Sequence, residues 1–165
     1  MFSLDRDYAQ YHEQVYAFIY YLTFDKSLAE DLMQETFIRA YDARTSFRGQ
    51  ATMLTWLRKI ARNLTYDYYK RQKILRFIRF TNTYEQFLPS AEELLHVQED
   101  VRELYKALSQ LKFEFRAAIS LRKIEELSIK ETAQVLGWSE AKVKNNTERG
   151  LRALRVLMEG EQTDE

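Results

Sequence analysis

The sequence contains no cysteine, one proline, four glycines and only two histidines in 165 residues. Without cysteine there can be no disulfide framework, thiol nucleophile or thiolate metal site. So few prolines and glycines leave few points of chain reversal, which favours long helices over many short strands. His12 and His96 are far apart and lack ligand spacing, and no glycine-rich phosphate loop, nucleophile elbow or HExxH motif occurs. No enzymatic activity, metal site or cofactor is therefore expected. The apolar runs are too short and too interrupted by charge to cross a bilayer. The start, MFSLDRDYAQYHEQ, lacks the basic region and apolar core of a secretory signal. A soluble, cytoplasmic protein is expected.

Net charge is absent too, with 25 basic and 25 acidic residues. A neutral total argues against a polyanionic partner, but the distribution argues for one. Residues 1–43 carry eight acids against three bases, a net of −5, whereas residues 56–79 carry eight bases against Asp67, a net of +7. A polyanion responds to the local field of such a patch, so the asymmetry is the relevant quantity.

Apolar spacing predicts an all-α chain of two small helical domains joined by a linker. One helix is expected over Leu4–Leu22, a second from a capping box at Ser27–Glu30 to about Tyr41, and a long third over Thr52–Arg76. The third helix carries Met53, Leu57, Ile60, Ala61, Leu64 and Tyr68 on its apolar side. The polar stretch TNTYEQFLPS contains the proline and reads as the linker. The expected boundaries are residues 1–79 for the first domain, 80–91 for the linker, 92–160 for the second domain and 161–165 for an acidic tail.

Residues 128–155 read SIKETAQVLGWSEAKVKNNTERGLRALR. Ser128 and Glu131 have capping-box spacing, Gly137 can take the positive φ of a helix C-cap, and Ser139 can cap the next helix. Helix, tight turn and helix form a helix-turn-helix. In its second helix Val143, Thr147, Leu154 and Leu157 form a packing stripe. Lys142, Asn145, Asn146, Arg149 and Arg152 recur opposite that stripe and must face water or a partner. Lysine and arginine reach phosphates and guanine edges, and asparagine can pair with adenine, so the face is suited to a major groove. Basic residues on a helix are often only solvated, but paired asparagines have poor helix propensity and add no charge.

The long helix interleaves Trp56, Tyr66, Tyr68 and Tyr69 with Arg58, Arg62, Lys70, Arg71 and Lys73 around Asn63 and Asp67. Aromatic faces replace lost base stacking while cations track a backbone, which suits single-stranded nucleic acid. The chemistry fits an ordinary solvated helix with a tyrosine-rich core equally well. In AEDLMQETFIRAY, residues 29–41, Asp31, Gln34, Glu35 and Ile38 trace one side, and by composition alone such an acidic face is solvent-exposed decoration.

The order and spacing of these segments resemble bacterial RNA polymerase sigma factors of the extracytoplasmic-function group, particularly the envelope-related factors of Bacillus-type bacteria. The resemblance spans residues 4 to about 158. It implies that AEDLMQETFIRAY docks on the polymerase largest subunit, with Asp31, Gln34, Glu35 and Phe37 in or beside the contact. It implies that the segment from Phe47 to Lys73 opens and captures the −10 element, through Trp56, Arg58, Arg62, Asn63, Asp67, Lys70 and Arg71. Lys70 stands where arginine is more usual. It implies that the helix-turn-helix reads the −35 element through Lys142, Lys144, Asn145, Asn146, Arg149 and Arg152. Lys142 replaces a frequent threonine, and Asn145-Asn146 replaces a typical serine-arginine pair. The implied partners are core RNA polymerase, promoter DNA and a membrane-linked anti-sigma factor that would hold the protein near the membrane. A DNA-binding repressor or activator that never enters polymerase, and an adaptor whose helix-turn-helix is only a scaffold, are the competing classes.

Overall fold

The computed structural model describes residues 1–79 and 98–161. The predicted linker, the expected start of the second domain, His96 and residues 162–165 of the tail lie outside the described residues. The described residues form helices and turns, in agreement with the expected all-α class.

Three long helices build the first unit: α1 (Leu4–Thr23), α2 (Lys26–Asp42) and α3 (Met53–Arg79). At the start of α1 the Asp7 carboxylate, 3% exposed, accepts from the Ser3 N–H at 2.6 Å and pairs with Arg6. A carboxylate in the first turn also complements the positive end of the helix dipole. Phe24 ends α1 in the left-handed conformation, φ 49°, with its N–H donating to the Tyr20 carbonyl. That conformation is costly for a residue with a Cβ. It coincides with burial of the Phe24 ring, whose centroid lies 5.7 Å from those of both Tyr20 and Tyr105.

The start of α2 differs from the expectation. Asp25, not Ser27, is the cap, its Oδ1 accepting from the Leu28 N–H at 2.9 Å. The reversal at Phe24 leaves Asp25 extended, so the helix starts at once and Ser27 falls within its first turn. At α3 the Thr52 hydroxyl accepts from the Thr55 N–H, and the buried stripe runs through Thr55, Leu57, Ala61 and Thr65.

The second unit comprises α4 (Glu99–Gln110), α5 (Phe113–Ile119), α6 (Ile129–Leu136) and α7 (Glu140–Glu161). Arg116 is buried and donates to the carbonyls of Ser109 and Leu111, both at 2.9 Å, which satisfies groups that the end of α4 would otherwise orphan. A widened turn over Ser120–Ile124 extends α5. Beyond it, the Glu125 N–H donates to the Ser120 carbonyl, Glu126 takes a φ of 55°, and the Leu127 N–H returns to the Leu121 carbonyl. The Arg122 guanidinium also grips the Leu127 carbonyl, so the position of Glu125 is fixed from both sides.

The helix-turn-helix follows the sequence closely. Ser128 and Glu131 form the reciprocal capping box at 2.8 and 3.1 Å, Gly137 has a φ of 66°, and the Ser139 hydroxyl accepts from the Lys142 N–H at 3.2 Å. Helix α7 buries Val143, Thr147, Gly150 and Leu154. Gly150 allows the close approach of α5, since a Cβ there would lie 3.0 Å from Ile119 Cδ1 and 3.1 Å from Phe115 Cβ.

The two units also pack on each other, which local periodicity does not reveal. Ala117, Leu121, Val135 and Leu136 of the second unit join Val15, Phe18, Ile19, Leu22, Leu57 and Ala61 of the first in one buried cluster. A second cluster joins Phe24 to Leu108, Leu111, Ile119 and Leu154.

Replacing Ser128 with alanine should cost about 1 kcal/mol, the usual contribution of a cap, read as a lower melting temperature. Hydrogen bonds from Ser128, side chain first and then backbone, hold the Glu131 carboxyl below its ordinary pKa. A depressed carboxyl contributes stability that is present above its unfolded pKa and is lost as pH falls through its folded pKa. Melts of Glu131→Gln should therefore match those of the parent more closely in acid than at neutral pH.

Candidate nucleic-acid and protein-docking surfaces

The outer face of α7 is built by the same packing that buries its inner face. With Val143, Thr147, Gly150 and Leu154 turned inward, Lys142, Lys144, Asn145, Arg149 and Arg152 are exposed and Asn146 is half-buried. Positions 142, 145, 146, 149 and 152 recur every three or four residues and share one face. The Lys142 ammonium sits 4.5 Å from the centre of the Trp138 ring, and the Arg149 guanidinium lies 5.8 Å from that of Phe115. These aromatic contacts hold the cations without neutralising them. The Asn146 amide already donates to the Lys142 carbonyl at 2.9 Å, whereas the exposed Asn145 has no such bond among the described contacts. Asn145 is therefore the better placed of the pair to reach a base edge.

On α3 the predicted group divides. Asn63, Asp67, Lys70 and Arg71 are exposed, and their spacing puts them on one outward face. Arg62 is half-buried, with its guanidinium 5.0 Å from the centre of the Tyr66 ring and donating to Asn63 Oδ1 at 3.1 Å, so it orients that amide. Trp56 is half-buried between Phe2 and Phe47, at centroid distances of 5.9 and 5.1 Å. Arg58 lies elsewhere. It is only 5% exposed and pairs with Glu125 of the second unit. Its position beside Leu57 turns it toward the packed side, and burial lowers its pKa while the charge of Glu125 opposes that shift. Tyr69 is also drawn inward, its hydroxyl donating to the Leu22 carbonyl at 3.3 Å. Burial raises the pKa of that phenol.

The outer side of α2 presents Asp31 and Gln34 to solvent, with Glu35 half-buried and paired to Arg39 at 2.8 Å. Phe37 is 2% exposed and packs edge-on against Tyr8, so it supports this surface from beneath. Ile38 is 56% exposed and lines an apolar groove of about 390 Å³ with Leu4, Tyr8, Gln34 and Phe37. Ile38 already stood out in the sequence as an apolar residue on the acidic side. The contributions of Leu4 and Tyr8 had no sequence signal, because they depend on how α1 crosses α2. The groove is lined mainly by apolar side chains, with Asp5 and Gln34 as its polar members, and an apolar patch with polar neighbours is the composition of a protein-docking surface.

A helix-turn-helix with exposed bases and amides, a polar and basic outward face on α3, and an apolar groove beside the acidic side of α2 fit a DNA-binding protein with a protein-docking side. The chain matches the family described as Sigma-70 region 2 over residues 8–74 and that described as Sigma-70, region 4 over residues 101–154. It is 40% identical over 161 residues to the ECF RNA polymerase sigma factor SigX of Bacillus subtilis (strain 168), covering 92% of this chain and 81% of that protein. It is 33% identical over 155 residues to the ECF RNA polymerase sigma factor SigM of the same organism, covering 94% of each. Its fold resembles that of the sigma factor RpoE from Bartonella quintana in complex with the anti-sigma factor NepR, with a TM-score of 0.77 and 24% identity over 94% of this chain and 96% of that one. The chain belongs to the extracytoplasmic-function group of the sigma-70 family.

Separate substitution of Asn145 and Arg149 by alanine should each cost about 1 to 3 kcal/mol of discrimination at particular base positions. Lys144→Ala should weaken all sequences alike and flatten the salt dependence. Binding to a randomised duplex library at several salt concentrations separates a changed preference from a changed yield.

Proposed function

We propose that this chain is a dissociable promoter-specificity subunit that binds core RNA polymerase, recognises −10 and −35 elements and supports promoter opening. It acts by binding and holding strands, not as an enzyme. The observation that carries this reading is the match of both helical units, in order, to the two sigma-70 regions. Supporting it, each unit exposes a face of the chemistry its role requires. The −35 element is read by α7 through Asn145 and Arg149, with Lys142, Lys144 and Arg152 on phosphates and Asn146 shaping the face. The −10 element is held by α3, where Asn63, Asp67, Lys70 and Arg71 meet strands that have lost their duplex partners, and Trp56 and Arg62 brace that face. Core polymerase docks on α2 through Asp31, Gln34 and Glu35, with Phe37 beneath them.

The regulon is envelope-related, and a membrane-linked anti-sigma factor holds the chain inactive in the cytoplasm until a signal releases it. Support for this part comes from resemblance: the CnrH chain, which shares the fold at 22% identity and a TM-score of 0.67, is known in complex with the cytosolic domain of CnrY. Among the described residues no helix is long and apolar enough to cross a membrane.

The chain should co-elute with sigma-free core polymerase in the absence of DNA and direct transcription from a subset of genomic promoters. A repressor or activator would bind DNA but leave core enzyme alone. Asp31→Ala combined with Glu35→Ala should weaken core binding in a titration while helical content stays unchanged, because exposed carboxylates contribute more to steering than to folding. Asn63→Ala and Arg71→Ala should leave core binding intact and reduce the thymines exposed to permanganate in the promoter bubble. Wild-type bubbles in both variants would remove the proposed role of this face.

A further inference from the structure

Phe2 is only 5% exposed, although the Met1 side chain before it is 96% exposed. The Phe2 ring packs edge-on against Trp56 of α3, at a centroid distance of 5.9 Å and an interplanar angle of 71°. Phe47 meets the same indole at 5.1 Å and 46°. Trp56 is thus held by two rings that come from outside its own helix. It stays half-buried and borders a cavity of about 450 Å³, to which the first unit also contributes Phe47, Arg48 and Lys59. Asn63 stands about two turns after Trp56 on the same side of α3, so the indole lies in line with the polar outward face.

Polar contacts tie residues 1–3 down on both sides of Phe2. The Arg6 guanidinium donates to the Met1 carbonyl at 2.8 Å and to the two Asp7 carboxylate oxygens at 3.1 and 3.3 Å. Asp7 accepts from the Ser3 N–H at 2.6 Å and donates its own N–H to the Ser3 carbonyl at 2.8 Å. Asp7 is 3% exposed, and a buried carboxylate is costly without such bonds, so release of this segment would strip it of a main-chain donor. The segment is a tied strap whose one buried side chain packs on Trp56. Helix α3 fixes the backbone of Trp56 through the buried neighbours Thr55 and Leu57 but leaves the indole its rotamers. An aromatic platform stacks a base only when its ring lies in the right plane, and a ring ordered beforehand loses no freedom on binding.

We propose that residues 1–3 form a strap that orients Trp56, so that the −10 face of α3 meets the unpaired strand with its indole already in place. Phe2 is then a positioning residue for promoter opening: it touches no DNA and acts through Trp56. This rests on the promoter-specificity reading above. A Phe2 that only filled the core would, when lost, weaken every activity of the first unit together, core docking included. A positioning Phe2 affects opening alone, because the polar groups assigned to docking stand on α2 and not on the indole it orients.

The test uses the full-length chain, core polymerase and a promoter that the parent opens. Phe2→Ala should bind core polymerase with the parent's affinity but form the permanganate-reactive bubble about fivefold more slowly. Trp56→Ala should show the same loss, and the double variant should be no slower than Trp56→Ala alone. Phe2→Leu, which keeps apolar volume but not the ring edge, should recover part of the rate. The chain has two tryptophans, so Trp138→Phe leaves Trp56 as the sole reporter, and acrylamide should quench its fluorescence more steeply when Phe2→Ala is added. A bubble formed at the parent's rate in Phe2→Ala would overturn the proposal, as would losses that multiply in the double variant or quenching that stays the same. Parallel loss of core binding and opening makes Phe2 a core contact and removes the positioning role. If Phe2→Ala loses helical signal, Phe2→Leu carries the test: it should open the promoter more slowly than the parent with core binding unchanged, and the parent's rate or a parallel loss of core binding sinks the strap. If the parent itself opens no promoter, the fault lies in the promoter-specificity reading, and the quenching measurement still decides whether Phe2 orients Trp56.

Discussion

Burial of one stripe of α3 is the constraint on which the other features depend. Leu57 and Ala61 are fully enclosed by α1, α2 and the second unit, so the rotation of α3 about its axis is fixed. Once that rotation is fixed, so are the outward positions of Asn63, Asp67, Lys70 and Arg71 and the inward turn of Arg58. A helix that rolled by one residue, about 100°, would carry part of the polar face into the packed side and part of the apolar stripe out to solvent. The polar face thus inherits its precision from apolar packing that never touches a ligand.

Two arginines show how differently a buried cation can be used. Arg116 gives its donors to main-chain carbonyls at the end of α4, within its own unit, and its guanidinium lies 6.0 Å from the centre of the Tyr69 ring. Burial lowers the pKa of both Arg116 and Arg58. Arg116 faces neutral acceptors and helps to close the end of α4. Arg58 faces a carboxylate on the other unit, so its charge is balanced only while the units stay together. The first arrangement is part of folding; the second makes the folded arrangement conditional.

Features with local causes were legible in the sequence. The helix-turn-helix was readable because a capping box, a glycine C-cap and a serine cap each act within four residues. The exposed face of α7 followed from counting the buried stripe. The start of α2 was misread because Asp25 and Ser27 are both competent caps, and the choice between them is made by the left-handed reversal at Phe24, which accompanies burial of its ring. The fate of Arg58 was illegible for the same kind of reason. A base in a basic helix looks solvated until a carboxylate far along the chain is brought to it, and nothing in the spacing of α3 announces Glu125. Phe113, Val135 and Trp138 are apolar, but whether such residues fill a local core or a neighbouring unit depends on packing that periodicity does not encode.

The zero net charge now has a physical explanation. An acidic first segment and a basic α3 within one chain attract each other as well as their partners, and at short range inside a folded body that attraction is only partly screened by salt. A uniformly basic chain would bind nucleic acid strongly at any sequence, because phosphate neutralisation is indifferent to bases. Balancing the total while segregating the signs weakens that indiscriminate term. Under the proposed function, this leaves the surface of α2 to select a protein partner and the amides and guanidinium of α7 to supply a larger share of the discrimination between DNA sequences.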